Sequence, residues 1–125
     1  MTNKSLLRPL NEYERGTLLP IIVKCLSKHI GKEQAITNSR MCEALTDKGY
    51  DIKDTRMRKI IHYIRDNWLI GCLIASSRGY HVTRDRQEML DYIDTLRRRV
   101  AAIEVVIRAM LEQLEAMPDE TRPVS

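Results

Sequence analysis

The chain has 125 residues, 43% hydrophobic and 30% charged, the balance of one ordinary globular domain with at most an appendage, and not that of a disordered or membrane-embedded chain. Its longest apolar run, Leu18 to Val23 with Pro20 counted in, is six residues, far short of a spanning helix or the core of a secretory leader. The net charge of +4 is uneven: residues 1–84 hold 15 Lys/Arg against 8 Asp/Glu, whereas residues 85–125 hold 6 against 9. A basic head of this kind points first to a polyanion, nucleic acid above all.

Residues 1–10 carry Lys4 and Arg8 without periodicity and read as a loose arm. Asn11 is placed to cap a helix, with Glu12 and Glu14 in its first turn. Leu18, Leu19, Ile22, Val23 and Leu26 recur at helical spacing, Pro20 should kink or divide the segment, and Gly31 is a natural stop. Gln34-Ala35-Ile36 is long enough only for a small strand. Thr37, Asn38 or Ser39 then caps a second helix with Met41, Cys42 and Leu45 on its apolar face, ended by Lys48-Gly49-Tyr50. Asp51 opens a third helix, with Asp54 as a weak capping-box partner, and Met57, Ile60, Ile61, Ile64 and Trp68 share one face up to Asn67. Leu69 to Ala75 is rich in β-formers, Ser76-Ser77-Arg78-Gly79 is turn chemistry, and Tyr80 to Thr83 is the returning strand, together a hairpin with a basic tip.

From Asp85 there is no Gly or Pro until Pro118, and Asp85 with Glu88 forms a helix start. Met89, Ile93, Leu96, Val100, Ile103, Ile107, Met110, Leu114 and Met117 alternate at spacings of four and three over four heptads, the pattern of a coiled-coil seam on a helix about 45–50 Å long. A stripe of this length must pack on something, and a second copy is the simplest partner. Ile93, Leu96, Val100, Ile103, Ile107, Met110 and Leu114 are the expected dimerisation residues. Leu90 and Leu111 at e and Val106 at g widen the stripe, which leaves a larger bundle open, and so few charges flank it that e and g leave the orientation of the pair unspecified. Residues 118–125 read as a frayed tail.

Helix, short strand, helix, helix, strand, turn, strand is the order of a winged helix-turn-helix. The stretch from Ile60 through Arg65-Asp66-Asn67-Trp68-Leu69-Ile70 to Ser76-Ser77-Arg78-Gly79-Tyr80, followed by an acidic helix start and a long terminal helix, resembles small winged-helix proteins of bacteria and their prophages over residues 11–117. One departure is Trp68, where many such proteins have glycine. The resemblance implies a mainly α (α+β) fold: a winged-helix domain over 11–84, a two-stranded wing, and a dimerisation helix over 85–117. It also implies that the third helix reads the DNA major groove. A helical wheel with Met57, Ile60, Ile61 and Ile64 inward sets Thr55, Lys59, His62 and Asp66 outward, flanked by Arg56 and Arg58. Arginine suits guanine bidentately and Lys59 suits phosphate or guanine. Neither Arg56 nor Lys59 has a carboxylate four residues on, so both read as unpaired. Arg40 at the start of the second helix and Ser77 and Arg78 at the wing tip complete the expected DNA contacts.

Enzymatic readings find little footing. Gly31-Lys32 lacks the spacing of a phosphate-binding loop, His29, His62 and His81 are scattered, and Cys25 with His29 four residues on reads as a buried thiol beside a surface imidazole. Arg97-Arg98-Arg99 reads as a solvated face, with Asp94–Arg98 and Glu104–Arg108 as local pairs. The sequence thus predicts a cytoplasmic DNA-binding homodimer in transcriptional control or a replication-accessory role, without catalytic residues, metal, cofactor or membrane partner. The alternative from another class is a winged-helix adaptor that docks on protein.

Overall fold

The computed structural model describes residues 9–119; Lys4, Arg8 and residues 120–125 lie outside the described residues. The elements in order are a π-helical segment Glu14–Leu18 leading into α1 (Leu19–Leu26), a 3-10 turn Lys32–Gln34, α2 (Asn38–Asp47), α3 (Asp54–Asp66), β1 (Leu73–Ser76), β2 (Gly79–Val82) and α4 (Arg86–Ala116). The fold is therefore mainly helical, with one small antiparallel sheet and a long C-terminal helix. None of the described helices is long and apolar enough to cross a membrane.

Pro20 explains the widened start of the first helix. A proline in an α-helix collides with the carbonyl four residues back and cannot bond to it. Here the turns just before it are π-helical, with the Leu19 N–H bonding to the Glu14 carbonyl five residues back, and Pro20 falls in the first turn of α1. The segment is divided in helical type rather than broken.

Three local signals act as the sequence suggests. Asn11 Oδ1 accepts from the Glu14 N–H at 2.8 Å while Glu14 Oε1 accepts from the Asn11 N–H at 3.0 Å, a reciprocal capping box. Thr37 is the cap of α2, its Oγ1 accepting from the Arg40 N–H at 3.2 Å. Gly49, at φ 94°, lets the Tyr50 N–H return to the Leu45 carbonyl at 3.0 Å.

Others differ. The third helix starts at Asp54 behind Lys53, without a side-chain cap, and Asp51 instead accepts from the Arg56 guanidinium. The first helix ends at Leu26, so Gly31 (φ 90°) serves the turn beyond it. The first strand of the hairpin begins at Leu73, four residues later than expected. Cys72 takes the left-handed conformation just before it, and the return strand begins at Gly79. Leu10, assigned to the arm by sequence, is 8% exposed and belongs to the core.

The hairpin pairs Leu73 with Val82 through Ser76 with Gly79. Ile36 adds a third rung on the outer edge of β2, exchanging backbone hydrogen bonds with Tyr80 at 3.0 and 2.8 Å. The predicted small strand before α2 is thus a single bridge. That bridge dictates glycine at 79: φ is +113°, and a Cβ there would lie 2.2 Å from the Ile36 carbonyl oxygen.

The core joins Leu18, Ile22 and Leu26 to Met41 and Leu45 of α2 and to Met57, Ile60, Ile61 and Ile64 of α3; Trp68, expected on the same face, lies beyond the end of α3 in the left-handed conformation and is 84% exposed. Each such side chain contributes about 1.5–3 kcal/mol by leaving water. His81 is buried on β2 (1% exposed), and its Nε2–H donates to Glu88 Oε1 at 3.2 Å. Hydrogen bonds from Thr83 and then His81 hold the Glu88 carboxyl below the usual range, against a smaller opposing effect of burial. The first turn of α4 is in this way fastened to the hairpin. By its contacts the chain falls into two compact units, divided between Met89 and Leu90, so that the first turn of α4 belongs to the first.

Candidate nucleic-acid interface

The exposed side of α3 is a single row. Thr55, Arg58 and His62 follow at spacings of three and four, all solvent-exposed, and Asp66 extends the row toward the C-terminus. Arg58 belongs to the N-terminal half of α3, where its charge also reaches Cys42 on α2. That thiol is pushed up to about 11, first by burial and then by the charge and hydrogen bond of Asp54, with Arg58 opposing. It is therefore a protonated packing group whose Sγ–H donates to Asn38 Oδ1 at 3.2 Å, not a nucleophile. Lys53 stands exposed just before α3.

Arg56 and Lys59 are not unpaired, and this corrects the expectation. Both reach Glu14, whose side chain is 4% exposed: Lys59 Nζ donates to Oε1 at 2.8 Å and Arg56 Nε to Oε2 at 3.1 Å. Arg56 also donates to the Asp51 carbonyl at 2.8 Å and lies 5.4 Å from the centre of the Tyr13 ring, while the Tyr13 hydroxyl accepts from the Asp51 N–H at 2.9 Å. Burial disfavours the Glu14 carboxylate. The hydrogen bonds from Lys59 and from the Asn11 amide, with the charges of Lys59 and Arg56, outweigh it together, and the carboxyl lies below its ordinary range. One acidic side chain thus closes the capping box of the first helix and clamps one flank of α3. The helical wheel cannot reveal this, because the start of the first helix covers that flank from 42 and 45 residues away in sequence.

The remaining predicted contacts are on other elements. Arg40 is exposed in the first turn of α2. Ser77 and Arg78 form the exposed two-residue turn of the hairpin, where the Arg78 N–H donates to Ser76 Oγ at 3.2 Å. The imidazole of His29 is engaged locally, Nδ1–H donating to the Gln34 carbonyl at 2.7 Å. No group of three or more His, Cys, Asp or Glu side chains among the described residues is arranged to hold a metal ion. No protein-family model, curated protein or solved structure matches the chain.

Proposed function

We propose that this chain is a winged helix-turn-helix protein that binds double-stranded DNA as a homodimer, in transcriptional control or as a replication accessory. The observation that carries the reading is the exposed row Thr55, Arg58 and His62 on the N-terminal two-thirds of α3, a helix held by its buried face against α2 and followed by a hairpin with Arg78 at its turn. A helix presented this way suits the major groove, with Arg58 the base-reading candidate. Arg40 and Arg78 are candidates for phosphate or the minor groove. Arg56 and Lys59 shape the helix that does the reading and are proposed as supports for it, with direct DNA contact only where a phosphate displaces Glu14. The unpartnered seam of α4 supports self-association.

A protein-docking module is the second reading. It is favoured by Trp68, 84% exposed, beside Leu69 at 44%, since a large aromatic left in water often anchors a protein partner. Fluorescence anisotropy on random duplex across salt concentration separates the two. With Arg40, Arg58 and Arg78 as the contacting cations, the log–log slope should be about −3 per head. Arg58→Ala should cost about 1–3 kcal/mol and fall hardest on a preferred site, whereas Arg78→Ala should weaken all sequences alike and flatten the slope by about one. Absence of duplex binding at low salt would move the docking reading ahead. Binding unchanged in the Arg40, Arg58 and Arg78 triple alanine variant would place the interface elsewhere.

A further inference from the structure

α4 runs 31 residues without a break, about 46 Å at 1.5 Å per residue. Its seam is open to solvent from Val100 onward: Val100, Ile103, Ile107, Met110, Leu114 and Met117 are each 51–61% exposed. An apolar row of that length is not left bare on a folded monomer. The residues along it are sorted by shape. Ile93, Val100, Ile107 and Leu114 fall at one heptad position, a, and three of these four are β-branched; Met89, Leu96, Ile103, Met110 and Met117 fall at the other, d, and four of these five are not.

In a parallel, in-register pair each layer sets like against like. The a layers favour β-branched side chains and the d layers favour leucine, which is not branched at Cβ, a segregation that favours two strands. In an antiparallel pair every a residue meets a d residue, and nothing favours such sorting. The flanks are compatible with the parallel arrangement without specifying it. A residue at g meets the e residue five positions on in the other strand, which brings Arg99 to Glu104 of the partner subunit and Val106 to Leu111 of the partner subunit, each twice by symmetry.

We infer that α4 pairs with α4 of a second copy in parallel and in register over Met89–Met117, so that both basic heads join the same end of one two-stranded rod. This rests on the homodimer reading above and adds its geometry. The chain enters α4 at Arg86, so each head is tied to the N-terminal end of its strand. Two heads at one end are placed to address neighbouring half-sites of a single duplex, related by the two-fold axis of the rod.

The test is disulfide trapping in the full-length chain carrying Cys72→Ser, which removes the exposed native thiol. Leu96→Cys and, separately, Ile103→Cys are oxidised in glutathione buffer, and the linked peptides are identified by mass spectrometry. Facing d positions of a parallel pair meet the distance a disulfide requires. Both variants should therefore link to themselves, residue 96 to 96 and 103 to 103, in most of the protein. In a fully overlapped antiparallel pair, Leu96 faces Ile107 of the partner subunit. Linkage in a mixture of Leu96→Cys and Ile107→Cys chains, without self-linkage of either, would overturn the parallel arrangement. A wild-type dimer by light scattering with neither link formed would also overturn it. A wild-type monomer would instead remove the homodimer reading beneath it.

Discussion

Replacing Glu14 by glutamine separates the charge of the α3 clamp from its capping geometry. Glutamine at this place in a capping box still accepts from the Asn11 amide, but it cannot compensate Lys59 at 2.8 Å and Arg56 at 3.1 Å. A hydrogen bond to a charged group contributes about 1.5–3 kcal/mol net, and breaking a fully buried ion pair costs about 3–5 kcal/mol. The two cations here are 22% and 30% exposed and Arg56 keeps its bond to the Asp51 carbonyl, so water and Asp51 return part of that. The expected loss for Glu14→Gln is about 1.5–3 kcal/mol at neutral pH. Glu14→Ala should lose about 1 kcal/mol more with the cap. The pH dependence has a fixed sign. Because the folded carboxyl lies below its ordinary value of 4.5, its contribution is present above that value and is lost as pH falls through the lower folded one. Urea titration of the full chain, followed by methyl resonances of Ile60, Ile61 and Ile64, reports on the head alone. The gap between wild type and Glu14→Gln should be full at pH 7 and close in acid. Equal stabilities at pH 7, or a gap that persists unchanged once the carboxyl is protonated, would refute the clamp.

Gly79→Ala should destabilise the head by at least about 3 kcal/mol, since a positive φ is strained for alanine and the added methyl would meet the Ile36 carbonyl at 2.2 Å; thermal unfolding checks it. Trp68→Gly should do the opposite. Trp68 sits at φ 57° just past α3, where the Leu69 N–H returns to the Ile64 carbonyl at 3.1 Å, and its side chain is 84% exposed. Relief of the left-handed strain should therefore exceed the lost packing and gain about 0.5–1 kcal/mol by the same assay. On the proposed pairing of α4, Val100→Asp with Ile107→Asp should leave only monomers of 14.6 kDa in light scattering, because like charges would face one another in the seam.

The fold was legible where a signal is local. The cap at Asn11, the cap at Thr37, the left-handed Gly49 and the inward face of α3 depend on residues within a few positions of one another, and the 3.6-residue period reports the last of these directly. The length of α4 and its apolar stripe were legible for the same reason. The hairpin boundaries were not. Leu69 and Ile70 look like strand residues, but the chain uses Trp68 and Cys72 in left-handed conformations to turn out of α3 before the strand begins. Nothing in propensity predicts two bulky or branch-free non-glycine residues there. The close approach that fixes Gly79 depends on Ile36, more than forty residues away.

The site shows the same division in electrostatic form. A basic head invites counting every cation toward DNA, and Arg56, Arg58 and Lys59 look alike when only their own helix is in view. The fold sorts them by flank. On one flank Glu14 spends its carboxylate on Arg56 and Lys59, and the exchange is what makes burial of that carboxylate tolerable. On the other, Arg58 shares the exposed face with Asp54, Thr55, His62 and Asp66. Counterion release counts only phosphates newly neutralised by protein cations, and a lysine already paired with a buried carboxylate contributes little to it. Counting Arg56 and Lys59 toward phosphate along with Arg40, Arg58 and Arg78 gives a salt slope of about −4.5. Three exposed arginines on α2, α3 and the hairpin give about −3. The difference of about two units is the thermodynamic trace of Glu14, and it links the stability of the first helix to the charge that α3 has left to offer.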